Sequence, residues 1–263
     1  MSNNDQVEGN LRISSPTIYE VIAAEGQEEL DRPFSSLAWS GLAAGICISF
    51  SMLTMGYIYL HGSAEGDTTN FMLQSIGYTF GFLIVVLGRL QLFTENTITV
   101  ILPLLERKSM KALAATARLW GIVFVMNMVG TFLIAVLISK FGFATTDQLE
   151  AIIHVAEHAV LKDTWDVFVT GIPAGFLIAA MVWMCPGAKN NQFFIIFFMT
   201  FLIALGEFSH VVAGSAEAFL LAFVDQITFL QAWEYIIAAG AGNILGGTGL
   251  FALLAYAQVK AEM

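Results

Sequence analysis

His210 stands inside a stretch apolar enough to sit in lipid: FFIIFFMTFLIAL leads into GEFSH, and VVAGSAEAFLLAFV comes after it. Glu207, Ser209 and His210 are the polar groups of that interruption. A second one, RLQLFTENT at 89–97, carries Arg89, Gln91, Thr94, Glu95 and Asn96 into another apolar run. Ionisable groups at membrane depth are costly, and they mark ion pathways and proton relays. Histidine is the side chain whose unperturbed titration falls near physiological pH. A neutral imidazole in a narrow apolar passage can donate one hydrogen bond to a solute, or exchange a proton with a weak acid. The blander alternative is a buried ring bonded to a loop carbonyl. Thr94 and Ser209 can satisfy free backbone groups or line a passage. Arg89 is expected to pair with Glu95, Glu207 or a neighbouring protomer, either holding the break together or taking part in conduction. Glu217 is a further charged group at depth.

Other chemistry has less behind it. His154 and His158 stand four residues apart with Glu157 nearby, a spacing that can bind zinc. Without a third firm ligand the pair reads as a solvated face, and no metal or other cofactor is expected. Cys47 and Cys185 both fall in apolar segments and read as small packing residues. No nucleophile–base pair, phosphate loop or metal set points to an enzyme.

The elements that must position these groups can be read from composition. Of 263 residues, 57% are hydrophobic and 12% charged, about half the charge of an ordinary soluble domain. Lipid is therefore the expected solvent, and the class is an all-α membrane protein. The net charge of −10 argues against nucleic acid, although seven of the 21 acids lie before Ser35. Residues 1–33 form an expected acidic N-terminal arm, with no cleavable leader. Within it SPTIYEVIAAEGQEELDRP reads as a short amphipathic surface helix, with Pro16 in its first turn and Gly26 near its end.

Beyond the arm lie six apolar segments at 37–60, 71–105, 113–139, 164–185, 192–224 and 234–258, within an expected membrane domain of 34–259 and ahead of a short tail, 260–263. With the N-terminus in the cytoplasm, Arg12, Arg32, Arg107, Lys108, Lys111, Arg118, Lys189 and Lys260 lie inside, against Lys140 and Lys162 outside. That asymmetry supports six crossings with both termini cytoplasmic. Segments two and five are too long for one span, and both contain the polar interruptions. Backbone freed at such breaks must be satisfied inside protein or beside a water-filled cavity.

A repeat links the two breaks. Gly41-Leu-Ala-Ala-Gly45 matches Gly171-Ile-Pro-Ala-Gly175, Phe93-Thr94 matches Phe208-Ser209, and Asn127-Met-Val-Gly130 matches Asn243-Ile-Leu-Gly246, in the same order. Three spans per half require the second half to insert upside down, which brings both broken helices to one central axis. The glycines are expected to serve close helix packing.

LFTENT at 92–97, Phe208-Ser209-His210 and GNILGG at 242–247 resemble the signature stretches of the formate/nitrite transporter family, most closely its less characterised YfdC-type branch. The resemblance covers about residues 33–258. It implies an aquaporin-like fold of six helices per protomer, a homopentamer in a bacterial-type inner membrane, and one pore per protomer for a small monovalent solute. It places His210 and Thr94 at the pore centre, with apolar constrictions near Tyr78, Phe82, Phe93, Ile178 and Ile203. Four positions depart from the family pattern. Ser209 replaces a glutamate, Ala159 a vestibule lysine (Lys162 lies three residues on), Gly175 a pore-facing asparagine, and Gln91 an acid that precedes the LFT stretch. Losing the lysine removes an attraction that would concentrate small anions at the outer mouth. A rival reading is a non-conducting membrane scaffold or sensor that meets a cytoplasmic partner through the arm.

Overall fold

The computed structural model describes residues 13–62 and 68–262. Arg12 and the start of the acidic arm lie outside the described residues, as does the Lys189 side chain.

The arm helix, α1 (Ser15–Asp31), begins where the Ser14 hydroxyl accepts the Thr17 amide and ends ahead of Pro33. Gly26 is not near its end but at its point of closest approach, where a Cβ would strike the Thr99 carbonyl. Tyr19, Ile22, Ala23 and Leu30 are buried, and the Tyr19 hydroxyl donates to the Leu102 carbonyl at 3.3 Å. Arg118 fastens the exit by donating to the Leu30 and Arg32 carbonyls at 3.2 and 2.7 Å. The apolar stripe of α1 is thus buried against the rest of the chain.

All the regular elements among the described residues are helical. Five helices are long and apolar enough to cross a membrane: 34–61, 68–87, 110–140, 164–188 and 229–262. The first is bent at Ser49 into α2 (Phe34–Ile48) and α3 (Phe50–His61). There the Ser49 hydroxyl bonds back to the Gly45 carbonyl at 2.9 Å, a habit of mid-helix serines that bends the rod. Next comes α4 (Thr68–Leu87), then a non-helical stretch over 88–95, the single turn α5 (Asn96–Thr99) and α6 (Ile101–Arg107). The third apolar segment is α7 (Met110–Lys140).

The loop FGFATTDQLEAIIHVAEHAVLKD folds into a 15-residue helix, α8 (Thr146–Val160), which its polarity concealed. Thr145 and Gln148 close a capping box at its start. Its buried face of Ala151, Ile152, Val155 and Ala156 packs on α3 and on α11 (Val211–Phe223). The fourth segment is α9 (Thr164–Ala188). The fifth is α10 (Gln192–Leu205) and then α11, with 206–210 non-helical between them. The last rod is α12 (Phe229–Ile244), wider turns over Leu245–Ala252, and α13 (Leu253–Glu262).

The most extensive helix pairs are α2 with α7 and α9 with α12. A Cβ on Gly45 would run into the Asn127 carbonyl, and one on Gly175 into the Asn243 carbonyl. Small residues let backbones touch in this way. Gly175 therefore faces α12, where the family's asparagine has no room. Gly175→Asn should destabilise the protein by about 1–3 kcal/mol through overpacking, read as a lower midpoint in a detergent melting series. Large apolar side chains such as Trp39, Phe194, Phe198, Ile237 and Leu254 are exposed on the outside, the pattern expected of a surface meeting lipid or neighbouring protein.

Candidate pore site

Both interruptions begin with the same helix ending. At the end of α4, Leu90 N donates to the Val85 carbonyl and Arg89 N to the Val86 carbonyl. At the end of α10, Phe208 N donates to Ile203 and Glu207 N to Ala204. This is the six-to-one, five-to-two pattern of a Schellman cap. Arg89 and Glu207 take its left-handed position, each at φ 50°, where glycine is the usual occupant. That strain is typical of sites held by their surroundings.

Past each cap, a buried asparagine holds the non-helical chain in place. Asn127 Oδ1 accepts from the Phe93 amide at 2.9 Å, while its Nδ2 donates to the carbonyls of Gly41 and Gln91 at 2.8 and 2.9 Å. Asn243 Oδ1 accepts from the Val211 amide at 2.8 Å, and its Nδ2 donates to the carbonyls of Gly171 and Ser209, both at 2.8 Å. Each amide thus ties a break to the first long helix of its half. The bonds also correct the register of the repeat. Phe208 corresponds to Leu90, and Phe93 corresponds to Val211 rather than Phe208. Backbone groups, not matching side-chain types, set the equivalence.

At the meeting of the breaks, His210 Nε2 lies 2.7 Å from Thr94 Oγ1. Nδ1 accepts the Ala213 amide at 3.2 Å and so caps α11. A backbone N–H only donates, so Nδ1 carries the lone pair and the proton sits on Nε2, pointing at Thr94. The ring is uncharged in this arrangement, and both residues are buried. Phe82 packs edge-on against the imidazole with 5.0 Å between centroids, and Tyr78 lies next to Phe82.

Two cavities flank the breaks, named outer and inner after the orientation expected from the basic residues. His210 lines the first, and Leu92 and Glu95, on either side of Phe93-Thr94, line the second. The outer one, about 390 Å³, is lined by Tyr78, Ile203, Ser209, His210, Glu217 and Tyr235, with Ala159 and Lys162 nearer its mouth. The inner one, about 230 Å³, is lined by Glu25, Glu29, Arg89, Gln91, Leu92 and Glu95. Phe82, Phe93, Thr94 and Ile178 are buried and line neither cavity. The Phe93 ring turns away to pack on Trp120 and Phe124.

Arg89 pairs with Glu25 of α1 at 3.4 Å, not with Glu95 or Glu207, and its side chain is 73% exposed. The Schellman turn aims it out of the inner mouth. Glu207 likewise lies at the outer mouth, with its carboxylate 2.9 Å from His158 Nε2 and its carbonyl accepting from Lys162 Nζ at 2.9 Å. His154 stacks on Tyr59 with centroids 4.2 Å apart. Both histidines line the mouth of the outer cavity, where the His158 side chain is 68% exposed, so the solvated face is also part of the cavity wall. Asn96 Nδ2 donates to Gln91 Oε1 at 3.1 Å, closing the loop of the first break. Ser209 shares a 2.9 Å hydrogen bond with the Thr170 hydroxyl.

Sequence reasoning passed over Leu92, Tyr235, and the part of Glu25 and Glu29 in the inner mouth. It placed Asn127 and Asn243 in the repeat without seeing that their amides secure the breaks. The asparagine common to both halves was the available signal.

The sequence profile described as formate/nitrite transporter matches residues 16–257. The inner membrane protein YfdC of Escherichia coli strain K12 is 36% identical over 257 residues, covering 97% of this chain and 82% of that protein. Among solved structures, an FNT family ion channel superposes with a TM-score of 0.79 at 16% identity, covering 92% of this chain and 98% of the other. A pentameric formate channel with formate bound superposes with a TM-score of 0.70 at 17% identity, covering 87% and 98%. With the profile spanning nearly the whole chain and the fold shared, this protein belongs to the formate/nitrite transporter family, a family of channels and transporters rather than enzymes.

Proposed function

We propose that the chain forms a transmembrane route for a small monovalent solute, a weak-acid anion of the formate or nitrite type or its neutral acid, with His210 and Thr94 at its centre. The contact between these two side chains, lying between an outer and an inner cavity, carries this reading. With Nε2–H committed to Thr94 Oγ1, the threonine hydroxyl proton is free to meet a solute, and the imidazole can then rotate its own donor toward it. Phe82 against the imidazole, with Tyr78 and Ile203 on the outer cavity, gives the centre an apolar surround, in which hydrated ions are disfavoured and neutral or transiently protonated species pass more readily.

The same reading has 34–259 crossing a bacterial-type inner membrane six times as two inverted halves, with 1–33 and 260–263 cytoplasmic. The duplicated asparagine anchors and Schellman turns support the two halves. The pentameric assembly of the formate channel that shares this fold supports five copies, each with its own pore.

Purified protein in liposomes is expected to pass formate faster than empty liposomes do, with a rate that rises as the outer pH falls. Vesicles that pass no weak acid, ammonium-like base or neutral small solute above the empty control would overturn the proposal.

A further inference from the structure

Glu217 lies seven residues beyond His210 on α11, about 10 Å along the axis at 1.5 Å per residue. The residue is only 4% exposed, yet it lines the outer cavity together with His210 and Gly214. Positions i, i+4 and i+7 form one helix face, so the carboxyl shares its face with the imidazole. Gly214, between them on that face, makes room for the Tyr235 hydroxyl, which a Cβ there would strike, so a phenol O–H stands between the two groups.

No ion pair involves Glu217 among the described residues. The ionisable groups sharing its cavity are Tyr59 of α3, Tyr78 of α4, Tyr235 of α12, His154 and His158 of α8, Lys162 beyond α8, Glu207 beyond α10, and His210 at the floor. Lys162 is held on the Glu207 carbonyl, and His158 on the Glu207 carboxylate. An unpaired carboxylate in such a place is expensive, whereas the neutral acid costs far less and presents an O–H. Packing alone gives no reason for a carboxyl here, since Ala216, Ala218, Phe219 and Leu220 around it are apolar and buried.

We infer that Glu217 is a proton-exchange group on the solute's route, handing a proton to a weak-acid anion in the outer cavity so that anion and proton travel together. The inference rests on the conducting role proposed above. In the step, the O–H bond of the Glu217 carboxyl breaks and an O–H bond forms on the anion. The bonding pair stays behind on the Glu217 carboxylate, which recovers its proton from water at the outer mouth. The neutral acid goes on past Tyr78 and Ile203 to His210, where it meets a hydrogen-bonding partner rather than its first proton source. Outward passage runs the same steps in reverse.

The test is formate entry into liposomes holding the full chain and an entrapped pH-sensitive dye, with empty liposomes as control. Wild-type protein should carry formate and acidify the lumen in step with it. Glu217→Gln keeps the shape and loses the proton. At neutral outer pH its formate flux should fall roughly tenfold or more. As the outer pH falls toward about 4, where a sizeable share of a simple carboxylic acid is already protonated, it should recover toward wild type. Glu217→Asp should restore the neutral-pH flux in part. A Glu217→Gln protein with the wild-type flux and pH profile would overturn the inference alone. A uniform loss at every pH would also overturn it, since that is the mark of a packing role. Wild-type protein no faster than empty liposomes would remove the conducting role itself, and this inference with it.

Discussion

Replacing Asn243 or Asn127 by alanine should each remove about 4 kcal/mol of stability, because three buried backbone groups lose their partner at ~1–3 kcal/mol apiece, less what entering water recovers. For Asn243 those groups are the Val211 amide and the carbonyls of Gly171 and Ser209. For Asn127 they are the Phe93 amide and the carbonyls of Gly41 and Gln91. At membrane depth no lipid group can replace them. A loss of that size lowers the midpoint of a chain this long by roughly 10 °C, readable as the surviving assembled fraction after heating in detergent. The two variants should lose similar amounts, since their bonds correspond one to one. Asn→Asp at either site should be worse than alanine, because it keeps the acceptor but turns a carboxylate toward two carbonyls. A melting midpoint within about 3 °C of wild type for either alanine variant would show that the break is held by something other than its asparagine.

The second large effect is expected at His210, whose two nitrogens do separate work. Nδ1 caps α11 and Nε2–H meets Thr94. His210→Asn keeps a good N-cap acceptor and discards the imidazole, whereas His210→Ala discards both. The alanine variant should therefore lose about 1 kcal/mol more stability than the asparagine variant. Flux should fall in both, by about 5–100-fold, because the solute is left at a buried centre without its hydrogen-bond partner, at ~1–3 kcal/mol. Thr94→Val, nearly isosteric, should give a smaller fall with little change in the melt. Wild-type flux and pH dependence in His210→Asn would confine the histidine to capping.

The acidic mouths set this chain apart from a simple anion funnel. Glu25, Glu29 and Glu95 line the inner cavity against Arg89, and Glu207 and Glu217 line the outer one against Lys162. Lys162 enters the vestibule near Ala159 but is committed to a backbone carbonyl, so it helps hold the second break as well as supplying charge.

Composition, hydropathy and the positions of LFTENT, GEFSH and GNILGG were enough to establish a helical membrane protein of this family with breaks in its second and fifth apolar segments. Those properties are local. A low charge share demands lipid, and polar residues within an apolar run demand a break, whatever the chain does elsewhere. Tertiary structure alone decided the partners. Arg89 reaches Glu25 across 64 positions of chain, and His210 reaches Thr94 across 116. Asn127 and Asn243 turn their amides onto breaks more than thirty residues away. It also decided that Phe93 stacks on α7 instead of lining a cavity, and that Gly175 faces a helix backbone. Hydrogen bonds between distant segments depend on where several helices cross, and no window along the sequence contains that geometry.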